Sequence, residues 1–192
     1  MLAERLSNKR IVLASGSPRR QDLLRSLGLD FVIDTRPVEE CYAPTLQAVA
    51  ITDYLAELKA QAFEQVAENT LLITADTIVW HRGKALEKPR DRSAAISMLQ
   101  ALSNSTHQVI TSVCIRTHLG LQTFNDSTLV TFRKLQEKEI IYYVDKYQPF
   151  DKAGSYGIQE WIGFVGIDRI EGSYFNVMGL PVHKLYEELL KL

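Results

Sequence analysis

Residues 107–135 read HQVITSVCIRTHLGLQTFNDSTLVTFRKL, two long runs rich in β-branched and aromatic residues that meet at Leu119-Gly120. So short a return makes the two strands antiparallel neighbours. No other stretch constrains the fold as strongly, because the rest of the chain alternates strand with helix. A strand that returns through a helix usually lies parallel to its predecessor. A chain holding both kinds of connection must build a mixed sheet with flanking helices. The class expected is α/β.

The remaining elements follow from local pattern. Ile11 to Leu13 reads as a short buried strand, Ser15-Gly16-Ser17 as a turn, and Ser17 with Pro18 as a helix start. Leu23, Leu24 and Leu27 supply that helix with an apolar stripe. Phe31 to Asp34 looks like a strand, and Pro37 to Pro44 is a loop rich in acids. A helix is expected from Ile51 to about Val66, with Ile51, Leu55, Leu58, Ala62 and Val66 on one face. TLLITAD reads as a buried strand ending in an acid, and IVWHRGKAL as a hairpin turning at Arg82-Gly83. Asp91 can cap a helix to Leu102, and Glu137 to Tyr147 is helical. GFVGIDRI is read as a strand and Pro181 to Leu190 as a closing helix. No repeat, low-complexity tract or Gly/Ser linker interrupts residues 1–192, which are taken as one domain. That length suffices for one sizeable core or two small lobes sharing a cleft.

Charge narrows the partners. With 22 basic and 23 acidic residues the net charge is −1, so no global field recruits nucleic acid or an anionic membrane. Anion binding must come from local clusters. No apolar run approaches the roughly 20 residues of a membrane span, and MLAERLSNKR lacks the apolar core of a signal peptide. Cys41 and Cys114 are far apart with no CxxC, and read as reduced thiols of a cytoplasmic protein. The four histidines show no ligand spacing, which argues against a histidine zinc site.

Against that neutral background a few residues stand out. Arg19 and Arg20 occupy the first turn of a helix, whose positive end prefers acids. They are either solvated at a small cost, or a phosphate resting on the amides of Ser15 to Ser17 supplies the missing anion. Asp76 closes a buried strand, where an acid holds metal, activates water or simply accepts turn hydrogen bonds. Glu39 and Glu40 could add a second carboxylate, at most one of them facing inward. Lys59 falls inside the apolar stripe of its helix, so it either snorkels or points into a cleft. Lys88 is stiffened by Pro89 and suits a phosphate ligand. FDKAGSYGIQEW combines two turn glycines with Asp151, Lys152 and Gln159, and the Gln159 amide can donate and accept at once, matching the edge of a pyrimidine. EGSYFNVMGLP reads as turn structure rather than chemistry.

Taken together, LASGSPRRQDLL, ADTIV, EKPRD, LSNSTHQVIT, DKAGSYGIQ and GSYFNVMGLP resemble, in the same order, the Maf-type nucleoside triphosphate pyrophosphatases from about residue 11 to 188. The resemblance implies an inosine triphosphatase-like architecture, elongated, with two lobes around a central cleft. It also implies hydrolysis of a nucleoside triphosphate between its α and β phosphates, a divalent metal (Mg or Mn) and a homodimer. One subgroup, acting on dTTP and UTP, carries SPRR, ADT and GIQ; this chain matches it at Arg19, Thr77 and Gln159. Asn104 and the Glu160-Trp161 pair depart from the family pattern, the latter at a place where glycine is common.

The roles that follow as expectations are these. Ser15, Arg19, Arg20, Lys59 and Lys88 hold the phosphate chain. Glu40 and Asp76 hold the metal, and Asp76 also takes the proton of the attacking water. Arg19, Thr77 and Gln159 select the pyrimidine. The competing reading is a non-catalytic nucleotide sensor that regulates septum formation. A nucleic-acid binder is disfavoured by the near-zero charge and the lack of an aromatic-basic stripe.

Overall fold

One seven-stranded sheet organises the chain, in the order β2-β1-β3-β5-β6-β7 with β4 also paired to β3. The computed structural model describes residues 1–192. In chain order the elements are α1 (Leu2–Arg5), β1 (Arg10–Leu13), α2 (Pro18–Arg25), β2 (Val32–Ile33), α3 (Val49–Gln61), β3 (Thr70–His81), β4 (Lys84–Leu86) and α4 (Arg92–Leu102). There follow β5 (Thr106–Thr117), β6 (Gly120–Phe132), α5 (Glu137–Tyr147), a 3-10 turn at Ala153–Ser155, α6 (Trp161–Gly166), β7 (Ile167–Glu171), α7 (Tyr174–Met178) and α8 (Val182–Leu189). The sheet is mixed as expected: β2, β1 and β3 are parallel, and β3, β5, β6 and β7 antiparallel.

Several boundaries move, each for a local reason. β3 does not stop at Asp76 but continues to His81, because Thr77 to Trp80 stay laddered to β5. The β3–β4 turn does fall at Arg82-Gly83, with φ of 49° and 76°, the paired positive values of a tight hairpin. In the long hairpin Thr117 pairs with Gly120, so the turn residues are His118 and Leu119, one earlier than expected. α3 ends at Gln61 rather than near Val66. GFVGIDRI is divided: Gly163 and Gly166 belong to α6, and only Ile167 onward is strand. A Cβ at Gly163 would lie 1.9 Å from the Ile158 carbonyl oxygen, so the missing side chain lets α6 sit directly on the preceding turn. Asp91 caps α4 as expected, its Oδ1 accepting from the Ala94 N–H at 2.8 Å.

Alternation along β3 sends Leu71, Ile73, Ala75 and Val79 to one face of the sheet and Leu72 and Ile78 to the other. On each face the apolar packing is interrupted at the same level. On the first, the cluster under α1, α2 and α8 is separate from the cluster under α4 and α5, and the Thr77–Thr111 pair crosses the strands in the gap. On the second, α3 covers two small clusters with Thr74, Asp76 and Ser112 between them. Buried hydroxyls need partners: Thr74 donates to the Ala56 carbonyl at 2.6 Å, and Ser112 donates to Thr52 Oγ1 at 2.6 Å. This polar belt is the seam between two lobes.

Candidate active site

The seam coincides with a gap in the sheet. One edge of β3 is paired with β5 from Leu72 to Trp80. The other is paired with β1 only as far as Ile73, and with β4 only from Val79 onward. Thr74 to Ile78 therefore present an edge with no partner strand, and Asp76 and Thr77 sit in the middle of it. β1 has turned away at Ala14 into the Ser15–Ser17 turn that opens α2. A cavity of about 580 Å³ fills this space, lined by Ser15, Arg19, Arg20, Glu40, Lys59, Asp76, Thr77, Lys88 and Gln159. Every residue expected to hold phosphate, metal or base thus lines one cleft, of a volume typical for small-ligand sites.

Consecutive residues of a strand point to opposite faces, and Asp76 and Thr77 divide the site accordingly. Asp76, only 6% exposed, faces α3. Lys59 Nζ donates to its Oδ1 at 2.6 Å and lies 3.2 Å from Glu40 Oε1. The lysine does not snorkel. The buried residues of α3 are Ile51, Thr52, Leu55, Ala56 and Ala60, an arc rotated from the expected stripe, and Lys59 lies inside it. The small Ala56 and Ala60 bring the helix close to Leu72 and Cys114 of the sheet, so Lys59 can only run along the interface into the cleft. Of the two loop acids, Glu40 faces the cavity. Glu39 instead accepts from the Cys41 thiol at 3.6 Å.

Thr77 faces the other way. Its hydroxyl accepts from Arg20 Nη2 at 2.9 Å and lies 2.9 Å from Thr111 Oγ1, which itself donates to the Asn176 carbonyl at 3.1 Å. Arg20 also donates from Nε to the Gly179 carbonyl at 2.8 Å, and from Nη1 to the Ala75 carbonyl at 2.8 Å and Ser15 Oγ at 3.4 Å. Burial pushes the Arg20 pKa down, partly offset by Asp76, yet a guanidinium stays charged in a protein. Two of the expected site residues are thus engaged within the protein. Arg20 closes the bare edge of β3 and ties α2 to the loop after α7, rather than offering a free fork to phosphate. Thr77 spends its hydroxyl on Arg20 and Thr111, so it has no proton left for a base. GSYFNVMGLP, read as turn structure alone, brings Met178 and Gly179 into the cavity wall.

The other cations are less committed. Lys88 is exposed and makes no ion pair, and Arg19 Nη1 lies 3.0 Å from Asp151 Oδ2. The Asp151 carboxyl is drawn down: burial pushes it up, but hydrogen bonds from Lys152 and Arg19 outweigh that. Gln159 lines the cavity with a buried Oε1 that has no hydrogen-bond partner. Lys152, left out of the expected site, is 8% exposed and paired with Asp151 and Glu160. A lysine beside an aspartate in a run with two glycines was the only sequence signal for it.

As a metal site the residues fit one kind of ion. Glu40 and Asp76 converge on the Lys59 ammonium, and no group of three His, Cys, Asp or Glu is assembled anywhere. Two carboxylates without a cage suit a hard cation such as Mg²⁺, which normally completes its shell with phosphate oxygens and water.

A family model described as "Maf-like protein" matches residues 10–192. Among curated relatives, a protein of Flavobacterium johnsoniae named dTTP/UTP pyrophosphatase is 54% identical over 193 residues, covering 100% of both chains. One of Bacteroides fragilis with the same name is 57% identical over 194 residues, again covering 100% of both. Among solved structures, the Staphylococcus aureus Ham1 protein superposes with a TM-score of 0.53 at 17% identity, covering 95% of this chain and 98% of that one. A HAM1 protein from Coxiella burnetii gives 0.52 at 15%, covering 96% and 100%. The structural neighbours share the fold, and the family match spans the residues that build the cleft: this chain belongs to the Maf family.

Proposed function

We propose that the chain hydrolyses dTTP and UTP to the nucleoside monophosphate and diphosphate. The observation that carries this reading is the gathering of Glu40, Lys59 and Asp76 at the one unpaired stretch of β3, inside a cleft that also holds Lys88, Arg19 and an unsatisfied Gln159 amide. The full-length relatives named dTTP/UTP pyrophosphatase support the substrate class.

Cleavage at the α-phosphorus needs charge neutralisation along the phosphate chain, an oriented water and a base for its proton. Lys59, Lys88 and the Ser15–Ser17 turn supply donors for the phosphate oxygens, and Arg19 lines the same cleft, paired with Asp151. Arg20 holds the turn in place from behind. Glu40 and Asp76 would hold a divalent cation together with the substrate phosphates, and when bound it would neutralise charge on them. The Asp76 carboxylate accepts the proton of the attacking water, while Lys59 at Oδ1 keeps that carboxylate oriented. The Gln159 amide reads the base by donating and accepting at once. Such chemistry rests on positioning and electrostatics, so no cysteine or histidine nucleophile is required. Cys41 and Cys114 are both unpaired, and no helix is long and apolar enough to cross a membrane, in keeping with the cytoplasmic location we assign.

The test is diphosphate release from dTTP and UTP, with GTP as control, in the presence of Mg²⁺ and again with excess EDTA. Equimolar monophosphate and diphosphate that vanish with EDTA are expected. Binding of UTP with no product at any metal concentration would instead favour the sensor reading.

A further inference from the structure

Gln159 occupies the third position of a tight turn, Gly157 to Glu160, closed by the Glu160 N–H donating to the Gly157 carbonyl at 3.0 Å. Both ends of that turn are tied to one buried hydroxyl. The Tyr143 hydroxyl accepts from the Gly157 N–H at 3.0 Å and donates to the Glu160 carboxylate. Tyr143 itself is fully buried in α5, and Ile158, the second turn residue, is 4% exposed in the same cluster. The turn is therefore anchored on three sides, and Gln159 projects from it into the cleft with its Oε1 unsatisfied. Leaving a buried hydrogen bond unmade is costly, so the amide stays there only because the turn is held.

The anchorage continues beyond the turn. Glu160 Oε1 lies 3.1 Å from Lys152 Nζ, Lys152 Nζ donates to Asp151 Oδ1 at 2.7 Å, and Asp151 Oδ2 accepts from Arg19 Nη1 at 3.0 Å. The chain Glu160–Lys152–Asp151–Arg19 alternates in charge and sums to zero; Lys152 and Asp151 are held from both sides, Glu160 by Lys152 and the Tyr143 hydroxyl, and Arg19 by Asp151. We infer that Glu160, Lys152 and Asp151 are positioning residues that set the distance between Gln159 and Arg19, and so the fit of the pyrimidine ring between them. This rests on the proposed pyrimidine nucleotide reading. Glu160 adds to the turn a brace to both α5 and Lys152.

The experiment compares kcat and KM for UTP and GTP in wild type and in E160A, E160Q, D151N and Y143F. For E160A the KM for UTP should rise about tenfold, near one hydrogen bond's worth of affinity. Its kcat should stay within about threefold, and the preference for UTP over GTP should fall about tenfold. E160Q keeps an acceptor for Tyr143 but loses the charge facing Lys152, so it should recover part of the KM. D151N cuts the link to Arg19 at an exposed side chain, and Y143F removes the shared hydroxyl; both should reproduce the KM effect, and they decide the matter should E160A not fold. Folded variants with wild-type KM and wild-type preference, or with kcat lost at unchanged KM, overturn the inference. A wild-type protein without activity on UTP overturns the proposed function and this inference with it, whereas an active wild type beside unaltered variants overturns the inference alone.

Discussion

Lys59 and Asp76, seventeen residues apart in the chain, meet at 2.6 Å where α3 crosses the unpaired edge of β3. The pair places a cation and a base in the same small volume as Glu40, and most of what the cleft can do chemically passes through it.

Asp76→Asn preserves the shape of the side chain and removes its basicity. Turnover of UTP should drop by about 10²–10⁴, the range of general-base catalysis, with nucleotide affinity by calorimetry within a few-fold of wild type. Near-normal turnover would exclude Asp76 as the base.

Removing the ammonium in Lys59→Met leaves Glu40 and Asp76 facing one another without their shared cation. Diphosphate release should fall by about a hundredfold or more. Lys59→Arg should restore little, because a planar fork does not replace a compact point charge between two carboxylates. A methionine variant within threefold of wild type would show that Lys59 is structural only.

Arg20 is tested by stability rather than rate. Four acceptors on three segments (Ser15 in the turn before α2, Ala75 and Thr77 of β3, and Gly179) depend on it. Arg20→Ala should lower the unfolding free energy by roughly 2–4 kcal/mol, since charged hydrogen bonds are lost and buried carbonyls left bare. Urea denaturation without nucleotide reads this directly. An unchanged midpoint would mean that Arg20 serves the ligand and not the fold.

His107 provides a pH test away from the cleft chemistry. Burial, reinforced by His81, pushes its pKa down to about 3, and its Nε2 lies 2.7 Å from the Tyr156 hydroxyl. Between pH 6.5 and about 3 the unfolded chain binds this proton and the folded one does not, so stability is full above 6.5 and is lost as pH falls. The slope attributable to this one residue is at most about 1.4 kcal/mol per pH unit. His107→Gln should flatten the curve of unfolding free energy against pH between about 6 and 4. A slope identical to wild type would assign the acid sensitivity elsewhere.

Much of the fold can be read from local pattern because strand, cap and turn signals act over a few residues. Asp91 caps its helix, Arg82-Gly83 turns its hairpin, and the paired β5 and β6 enforce a mixed sheet. The misreadings share a cause. β3 extends past Asp76 because β5 supplies a ladder from a distant part of the chain. GFVGIDRI splits because Gly163 must lie against the Ile158 backbone, a contact that no window of sequence contains.

The candidate site divides along the same line. Sequence alone pointed to residues that line the cleft: Arg19 and Lys59 conflict with their local surroundings, Asp76 ends an apolar run, and a stiff loop and amide chemistry mark Lys88 and Gln159. Only the tertiary structure decided what each one does there. Arg20 and Thr77 turned inward to other protein groups, Glu40 was chosen over Glu39, and Asp151, Lys152 and Glu160 joined Arg19 to Gln159. A hydrogen bond or ion pair depends on position to within a few tenths of an ångström, and that position is set by the packing of the whole chain.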